Sequence, residues 1–325
     1  MKHSLSVLAG LLLAAGSICA SHAQEYPNKP IRFVVPWPAG GITDAAGRLF
    51  ATQLSKRLNS PVVVDNKPGA TASIGATFVA QAAPDGYTLL LGSSETHGIN
   101  VHTFRKLAYD PGRDFISVAP FAVNPFSVVA RPDFPANSIK ELVALAKANP
   151  GKFSYASAGL GSATQLTMEI FRTQAGIDLL HVPFQGEAPA LTALMAGQTD
   201  VQILSVGRSD PLSKAGKLKV LAVTMQDRYF GLKDTPTLKE AGYDKANIAN
   251  WYGVVAPAKT PIAAIERLHA ETQAIIKMPD AIAAYRAMGL EVATPVSLKE
   301  FQQATAAEPD RWAQVIRNAN IRQEQ

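Results

Sequence analysis

The chain has 325 residues, 47% of them hydrophobic but only 7% aromatic, and 31 Lys and Arg stand against 26 Asp and Glu for a formal charge of +5. This length exceeds what one core usually supports, so two lobes are expected. The mild charge excess, with no run of Lys or Arg, leaves no nucleic-acid face, and the only cysteine, Cys19, excludes a disulfide framework.

Lys2 is the only charge in residues 1–23; an apolar run from Leu5 to Ile18 and the small-residue site Ser21-His22-Ala23 follow. This is the pattern of a secretory signal peptide, too short and too broken by Gly and Ala for a membrane span. Cleavage after Ala23 would remove Cys19 and deliver a cysteine-free chain to a bacterial periplasm. Strand and helix signals then alternate. Residues 31–35 read as a strand and Pro36-Trp37-Pro38-Ala39-Gly40-Gly41 as a turn. Ile42, Ala45, Ala46, Leu49, Phe50, Leu54 and Leu58 recur at helical spacing. Residues 61–65 form a short strand, 73–82 a helix stopped at Pro84-Asp85-Gly86, and 87–91 a strand that opens into a polar loop, 92–97. This βαβαβ order predicts a parallel sheet covered by helices.

The middle of the chain repeats the theme. Residues 138–148 read as a helix with Ser138 and Glu141 as a capping box. Strand 153–156 runs into Ser157-Ala158-Gly159-Leu160-Gly161-Ser162 and a helix over 163–174 stopped by Gly176. Strand 179–183, helix 189–196 with Gly197 as its stop, and strands 200–204 and 219–223 follow. Strand 252–256 and two or three amphipathic helices complete the chain. Residues 24–124 with 250–325 are expected to form one lobe and 125–249 the other. The chain crosses between them near 123–126 and 248–252, which makes a hinge. The two glycine-bearing strand–turn–helix stretches, 31–41 and 152–162, each offer a helix start with about four free N–H groups and roughly half a positive charge. They predict a small anion, a carboxylate, held between the lobes.

Several motifs in fixed order carry a resemblance. They are Tyr26-Pro27-Asn28-Lys29-Pro30-Ile31, Pro36 to Asp44, Val64-Asp65-Asn66-Lys67-Pro68-Gly69-Ala70, Pro84 to Leu89, Tyr109-Asp110-Pro111, Tyr155 to Ser162, His181-Val182-Pro183-Phe184-Gln185-Gly186 and Trp251-Tyr252-Gly253. Over nearly the whole mature chain they resemble the substrate-binding proteins of tripartite tricarboxylate transporters, the periplasmic Bug proteins. The resemblance implies an α/β, type II periplasmic-binding fold: two doubly wound lobes joined by a hinge with a cleft between them. It implies a monomer that closes on a small organic carboxylate and hands it to integral-membrane permease subunits, with no cofactor and no metal. It also implies that backbone groups of the first loop, Trp37, Ala39, Gly40 and Gly41, hold a ligand carboxylate.

Ser93, Ser94, Thr96 and His97 lie where a strand ends, the ligand-facing edge of an open α/β sheet. Glu95 among them is expected to point away or be paired. Ser157, Gly159, Gly161, Ser162, Ala163 and Thr164 form the second mouth, and Phe184 and Ser205 are counted with the site. Arg208 reads as a solvated surface arginine. The chain departs from the family at Trp37, where Phe or Tyr is usual, at Gln165, where His is common, near Thr71-Ala72, where a glycine pair is common, and at Leu204, often polar or acidic. Trp37 and Leu204 together predict a wider, more apolar pocket. An aromatic or long-chain dicarboxylate, such as a phthalate isomer, would lie against Trp37 and Phe184.

Rival chemistries lack support. Ser157 or Ser162 with His181 imitates a nucleophile and base, but no G-x-S-x-G elbow exists and nothing in the sequence aims His181 at a serine. Gly159-Leu160-Gly161 begins a dinucleotide fingerprint that Thr164 breaks. His97, His102, His181 and His269 have no ligand spacing for a metal. A carboxylate sensor would use the same pocket as a transporter receptor and stays open as an alternative.

Overall fold

The computed structural model describes residues 26–246 and 248–319. The signal segment 1–23 read from the sequence, with Cys19, lies outside the described residues. The chain opens as expected: β1 (Ile31–Val35), α1 (Ile42–Leu58), β2 (Val62–Asn66), α2 (Ser73–Ala80) and β3 (Thr88–Gly92). β1 lies between β2 and β3, parallel to both. Its Ile31, Phe33 and Val35 pack with Phe50 and Leu54 of α1, while Val34 packs with Ala76 and Val79 of α2. Burial on both faces is why β1 is apolar at every position except the exposed Arg32.

Residues 92–97 are not a loop. The chain coils into a π turn, Glu95–Ile99, then the short helices α3 (Asn100–Thr103) and α4 (Pro111–Asp114). β4 (Phe115–Ala130) follows, 16 residues long. The next elements are α5 (Ile139–Ala148), β5 (Ser154–Ser157), α6 (Ala163–Ala175), β6 (Leu180–Pro183), α7 (Glu187–Met195), β7 (Val201–Ser205), α8 (Val206–Lys214) and β8 (Lys219–Val223). A 3-10 turn at Asp244–Ala246 leads to β9 (Ala249–Pro257). The chain ends in α9 (Ile262–Ile275), α10 (Pro279–Ala287), β10 (Glu291–Val292), α11 (Leu298–Ala306) and α12 (Glu308–Ala319). At α5, Ser138 accepts the Glu141 N–H, but the Glu141 carboxylate takes the Asn137 N–H at 2.6 Å. The reciprocal half of the expected capping box is thus displaced by one residue.

The sheet runs β2-β1-β3-β9-β4-β7-β5-β6, with β8 and β10 also on β4. β4 serves both ends of it. Residues 115–125 pair antiparallel with β9, and 126–130 pair antiparallel with β7 and β8. Pro125 closes the β9 register opposite Ala249, and its missing N–H removes a ladder donor where β4 changes partners. A second large core gathers Val128, Tyr155, Leu166, Phe171, Val201 and Ile203. Ile99 of the π turn and Trp312 of α12 are buried in that same core. Among the described residues no helix is long and apolar enough to cross a membrane.

Candidate functional site

A cavity of about 260 Å³ lies where α1, α6, α7 and α8 begin, above the point at which β4 and β9 pass side by side. One wall is the turn Trp37 to Gly41 with Ile42 and Thr43. Gly40 has φ +82°, a left-handed conformation that favours glycine, and Gly41 opens α1 with no side-chain cap. Asp44, in the first turn of α1, is turned back onto the loop. It accepts from Gly40 N–H at 2.9 Å, Arg48 Nε at 3.0 Å and Asn66 Nδ2 at 2.8 Å. Burial alone would raise the Asp44 carboxyl; these hydrogen bonds and the Arg48 charge outweigh it and hold the group below its usual range. Asp44 therefore fixes the loop and leaves the first N–H groups of α1 to the cavity.

The opposite wall begins with Ser162, Ala163 and Thr164 at the start of α6. Its donors are largely engaged. Ser162 Oγ accepts from Gln165 N–H, Thr164 Oγ1 accepts from Ala158 N–H at 3.0 Å, and Ala163 N–H points at Glu95 Oε1 at 3.4 Å. Glu95 also accepts from Ser93 Oγ at 2.6 Å and from Asn250 Nδ2 at 2.9 and 3.1 Å. The second mouth thus holds one of the protein's own carboxylates. Glu95 is paired, as expected, yet it also faces the cavity.

Gly186 to Pro189 start α7 along the same wall, and Ser205 precedes α8. Glu187 Oε1 accepts the Ser205 N–H at 2.5 Å and Oε2 accepts from Ser205 Oγ at 3.1 Å, with Arg208 Nε 3.7 Å away. Burial pushes the Glu187 carboxyl up, against the opposing pull of Ser205 and Arg208. The floor is polar: Asn124 Nδ2 donates to Ser205 Oγ at 3.1 Å and to Tyr252 OH at 3.2 Å, and Tyr252 OH meets Thr43 Oγ1 at 2.9 Å. Trp37, Phe126 and Tyr252 supply aromatic surface.

Of the residues expected from the sequence, Trp37, Ala39, Gly40, Gly41, Ser162, Ala163, Thr164 and Ser205 line this cavity. Ser93, Ser94, Thr96 and His97 are buried outside its wall, because the π turn rolls them inward. Thr96 Oγ1 bonds His97 Nδ1 at 2.8 Å, and the His97 ring packs edge-on to Trp251. Gly161 N–H donates to Gln165 Oε1 at 2.7 Å behind the wall, and Gly159 N–H donates to Ser157 Oγ. Phe184 sits with Trp37 in a neighbouring outer groove rather than in the cavity. Leu204 does not widen the pocket: strand alternation turns it into a cluster with Val129, Leu191, Leu194 and Leu218. Arg208, read as a surface arginine, is in the wall. Glu187, Asn124, Asn250 and Tyr252 were not anticipated. An Asn interrupting each of two apolar strands, Val123-Asn124-Pro125 and Ala249-Asn250-Trp251, is the signal that marks such a floor.

His181 does reach a serine, with Nε2 2.7 Å from Ser157 Oγ, because β5 and β6 pair in register with Tyr155 opposite His181. The contact cannot generate a nucleophile. Gln165 spends its Oε1 on Gly161 N–H, so its Nε2 faces His181 Nδ1 at 3.2 Å as a donor. Nδ1 must then accept, which places the imidazole proton on Nε2, where it donates to Ser157 rather than taking its proton. Ser157 is fully buried and off the cavity wall. The trio locks the second glycine turn. Among the described residues no group of three or more His, Cys, Asp and Glu could hold a metal ion.

The family model described as the tripartite tricarboxylate transporter family receptor matches residues 46–321. An R. palustris structure described with adipate is 33% identical, with a TM-score of 0.85 over 91% of this chain and 99% of that one. The periplasmic binding protein BugD is 34% identical, with a TM-score of 0.83 over 92% of this chain and 100% of its own. MatC of Rhodopseudomonas palustris, with bound malate, is 32% identical, with a TM-score of 0.81 over 90% of this chain and 100% of its own. The chain belongs to the tripartite tricarboxylate transporter receptor family, has the mixed α/β periplasmic-binding fold of its neighbours, and is a solute-binding receptor rather than an enzyme.

Proposed function

We propose that this receptor captures a small dicarboxylate in the 260 Å³ cavity and passes it to the membrane subunits of a tripartite tricarboxylate-type transporter. The observation that carries the reading is the uncapped start of α1 facing a cleft whose 260 Å³ lies just below the usual range of ligand pockets, about 300–1,000 Å³. One carboxylate sits on the first N–H groups of α1, at the Gly40-Gly41 turn, and the carbon body lies against Trp37, Phe126 and Tyr252. Adipate and malate in the two structural neighbours are ligands of the same class. An aromatic dicarboxylate such as a phthalate isomer also suits this lining; flat stacking on Trp37 adds about 0.5–1.5 kcal/mol beyond area burial.

Residues 26–124 with 250–319 form one jaw and 125–249 the other, with Ile99 of the π turn and Trp312 of α12 reaching into the core of the second. β4 and β9 are the strands that join them, so closure bends the chain at residues 125 and 249. The protein acts in the periplasm after removal of residues 1–23. Thermal unfolding against mono-, di- and tricarboxylates, aliphatic and aromatic, tests the reading. A ligand at about 100 times its Kd adds roughly 2.7 kcal/mol, a rise of about 5–10 °C for domains of this size. A panel in which no carboxylate moves the transition defeats the proposal.

A further inference from the structure

Four helices begin at this cavity, and the protein fills two of those starts with its own carboxylates. Glu95 approaches the start of α6, and Glu187 takes the Ser205 N–H that opens α8. Both carboxylates are held by donors of the protein, Glu95 by Ser93 and Asn250 and Glu187 by Ser205. Each places a negative charge at a helix mouth that a ligand anion would otherwise take. The starts of α1 and α7, both without a side-chain cap, stay open to a ligand anion, but they offer only neutral N–H groups, and a dicarboxylate carries two charges.

Arg208 is the charged wall group with unspent donors; the Trp37 indole N–H, the other unpartnered side-chain donor of the wall, is neutral. The Arg208 side chain is 30% exposed, and its ion pair with Glu187 spans 3.7 Å, beyond hydrogen-bond length. It is also the only Lys or Arg among the described residues of the cavity wall. A guanidinium presents a planar fork of N–H groups that fits a carboxylate edge-on. Glu187 stays in place when Arg208 turns away, because Ser205 N–H and Oγ still hold it.

We propose that Arg208 is the specificity-determining residue for the ligand's second carboxylate, and that Glu187 is its resident counter-ion, released when the ligand arrives. The proposal rests on the carboxylate-receptor reading above. Arg208 exchanges a loose pair with Glu187 for a two-pronged contact with the ligand, so the chain discriminates dicarboxylates from monocarboxylates of the same length. Glu187 tempers that contact: its charge competes with the ligand for the guanidinium.

Calorimetric titration with adipate and with hexanoate, which share a six-carbon chain and differ by one carboxylate, reads this directly. The native chain is expected to prefer adipate by at least tenfold, about 1.4 kcal/mol. Arg208→Ala should abolish that preference by weakening adipate alone, and Arg208→Lys should restore part of it. Glu187→Gln keeps an acceptor for Ser205 and removes the competing charge, so it should tighten adipate several-fold and leave hexanoate unmoved. If Arg208→Ala keeps the native adipate-to-hexanoate ratio, or if Glu187→Gln weakens both acids equally, Arg208 is not the receptor although carboxylate binding stands. A native chain that binds neither these acids nor any other carboxylate of the thermal panel overturns the functional reading, and this inference with it.

Discussion

Two histidines sit behind the walls of the cavity, His97 buried and His181 half-buried, and their desolvation has a measurable consequence. His97 is held by Thr96 against Trp251, and burial lowers its pKa from 6.5 to about 4. Burial, with the charge of Arg172, lowers His181 to about 4 as well. Both are neutral in the fold at pH 7, whereas in the unfolded chain they take up protons below about pH 6.5. The unfolded state therefore binds more protons between pH 6.5 and 4, so stability is full above 6.5 and falls as the pH drops through that window. The ceiling is about 1.4 kcal/mol per pH unit for His97, and solvent screening makes it smaller for the half-buried His181. Thermal unfolding at pH 7 and pH 5 should show the native chain losing more stability than His97→Gln; parallel curves would show that His97 does not contribute. At this scale the sequence marks the small and hydroxyl residues of the glycine turns, because their chemistry is local. It does not mark Glu187 or Arg208, because a charged side chain reads as solvated until the fold shows what surrounds it.

The approach to α2 carries the clearest local strain. Ala70, Thr71 and Ala72 have φ of 46°, 48° and 70°, three successive non-glycine residues in the left-handed region. That conformation costs roughly 1–2 kcal/mol for a residue with a Cβ. The segment is held by Asn100 Nδ2 donating to Thr71 O at 2.9 Å and by Ser73 N–H donating to Ala70 O at 2.9 Å. Glycine, with no Cβ, would meet little of that cost here. Ala70 is half-buried, so Ala70→Gly removes strain at little cost in packing. After the extra backbone entropy of glycine, the expected gain is about 0.5–1 kcal/mol, or 1–4 °C in the melting temperature. A drop in melting temperature would contradict this account. Other elements were legible because their signals are contiguous: α1 from its apolar stripe, and α6 from Ser162 and Gly176 at its ends. The π turn at Glu95–Ile99 was not, because a short polar stretch after a strand carries no periodicity to distinguish a coil from a loop.

Across the whole molecule, one contact ties the wall of the cavity to the opposite half of the chain. Gly207 of α8 lies back to back with Met288 and Gly289, which link α10 to β10; a Cβ on Gly207 would fall 1.9 Å from Met288 O. Gly207→Ala must push α8 off that segment, and α8 carries Arg208. We expect a loss of about 2–3 kcal/mol, in the range of overpacked cores, with weaker binding of whichever carboxylate the thermal panel identifies. Unchanged melting and unchanged affinity would mean that the two halves do not rely on this contact. The sequence by itself determined the alternation of strands and helices, the two glycine turns and the family, because each depends on neighbours along the chain. The tertiary structure alone decided that β4 spans both ends of the sheet and that Asn124, Asn250 and Tyr252 form the floor. It alone decided that two helix starts are already filled by Glu95 and Glu187, and that Arg208 faces inward. Those facts depend on segments up to about two hundred residues apart meeting in space, as Thr43 meets Tyr252, and no local pattern encodes which charges such a meeting will shield from water.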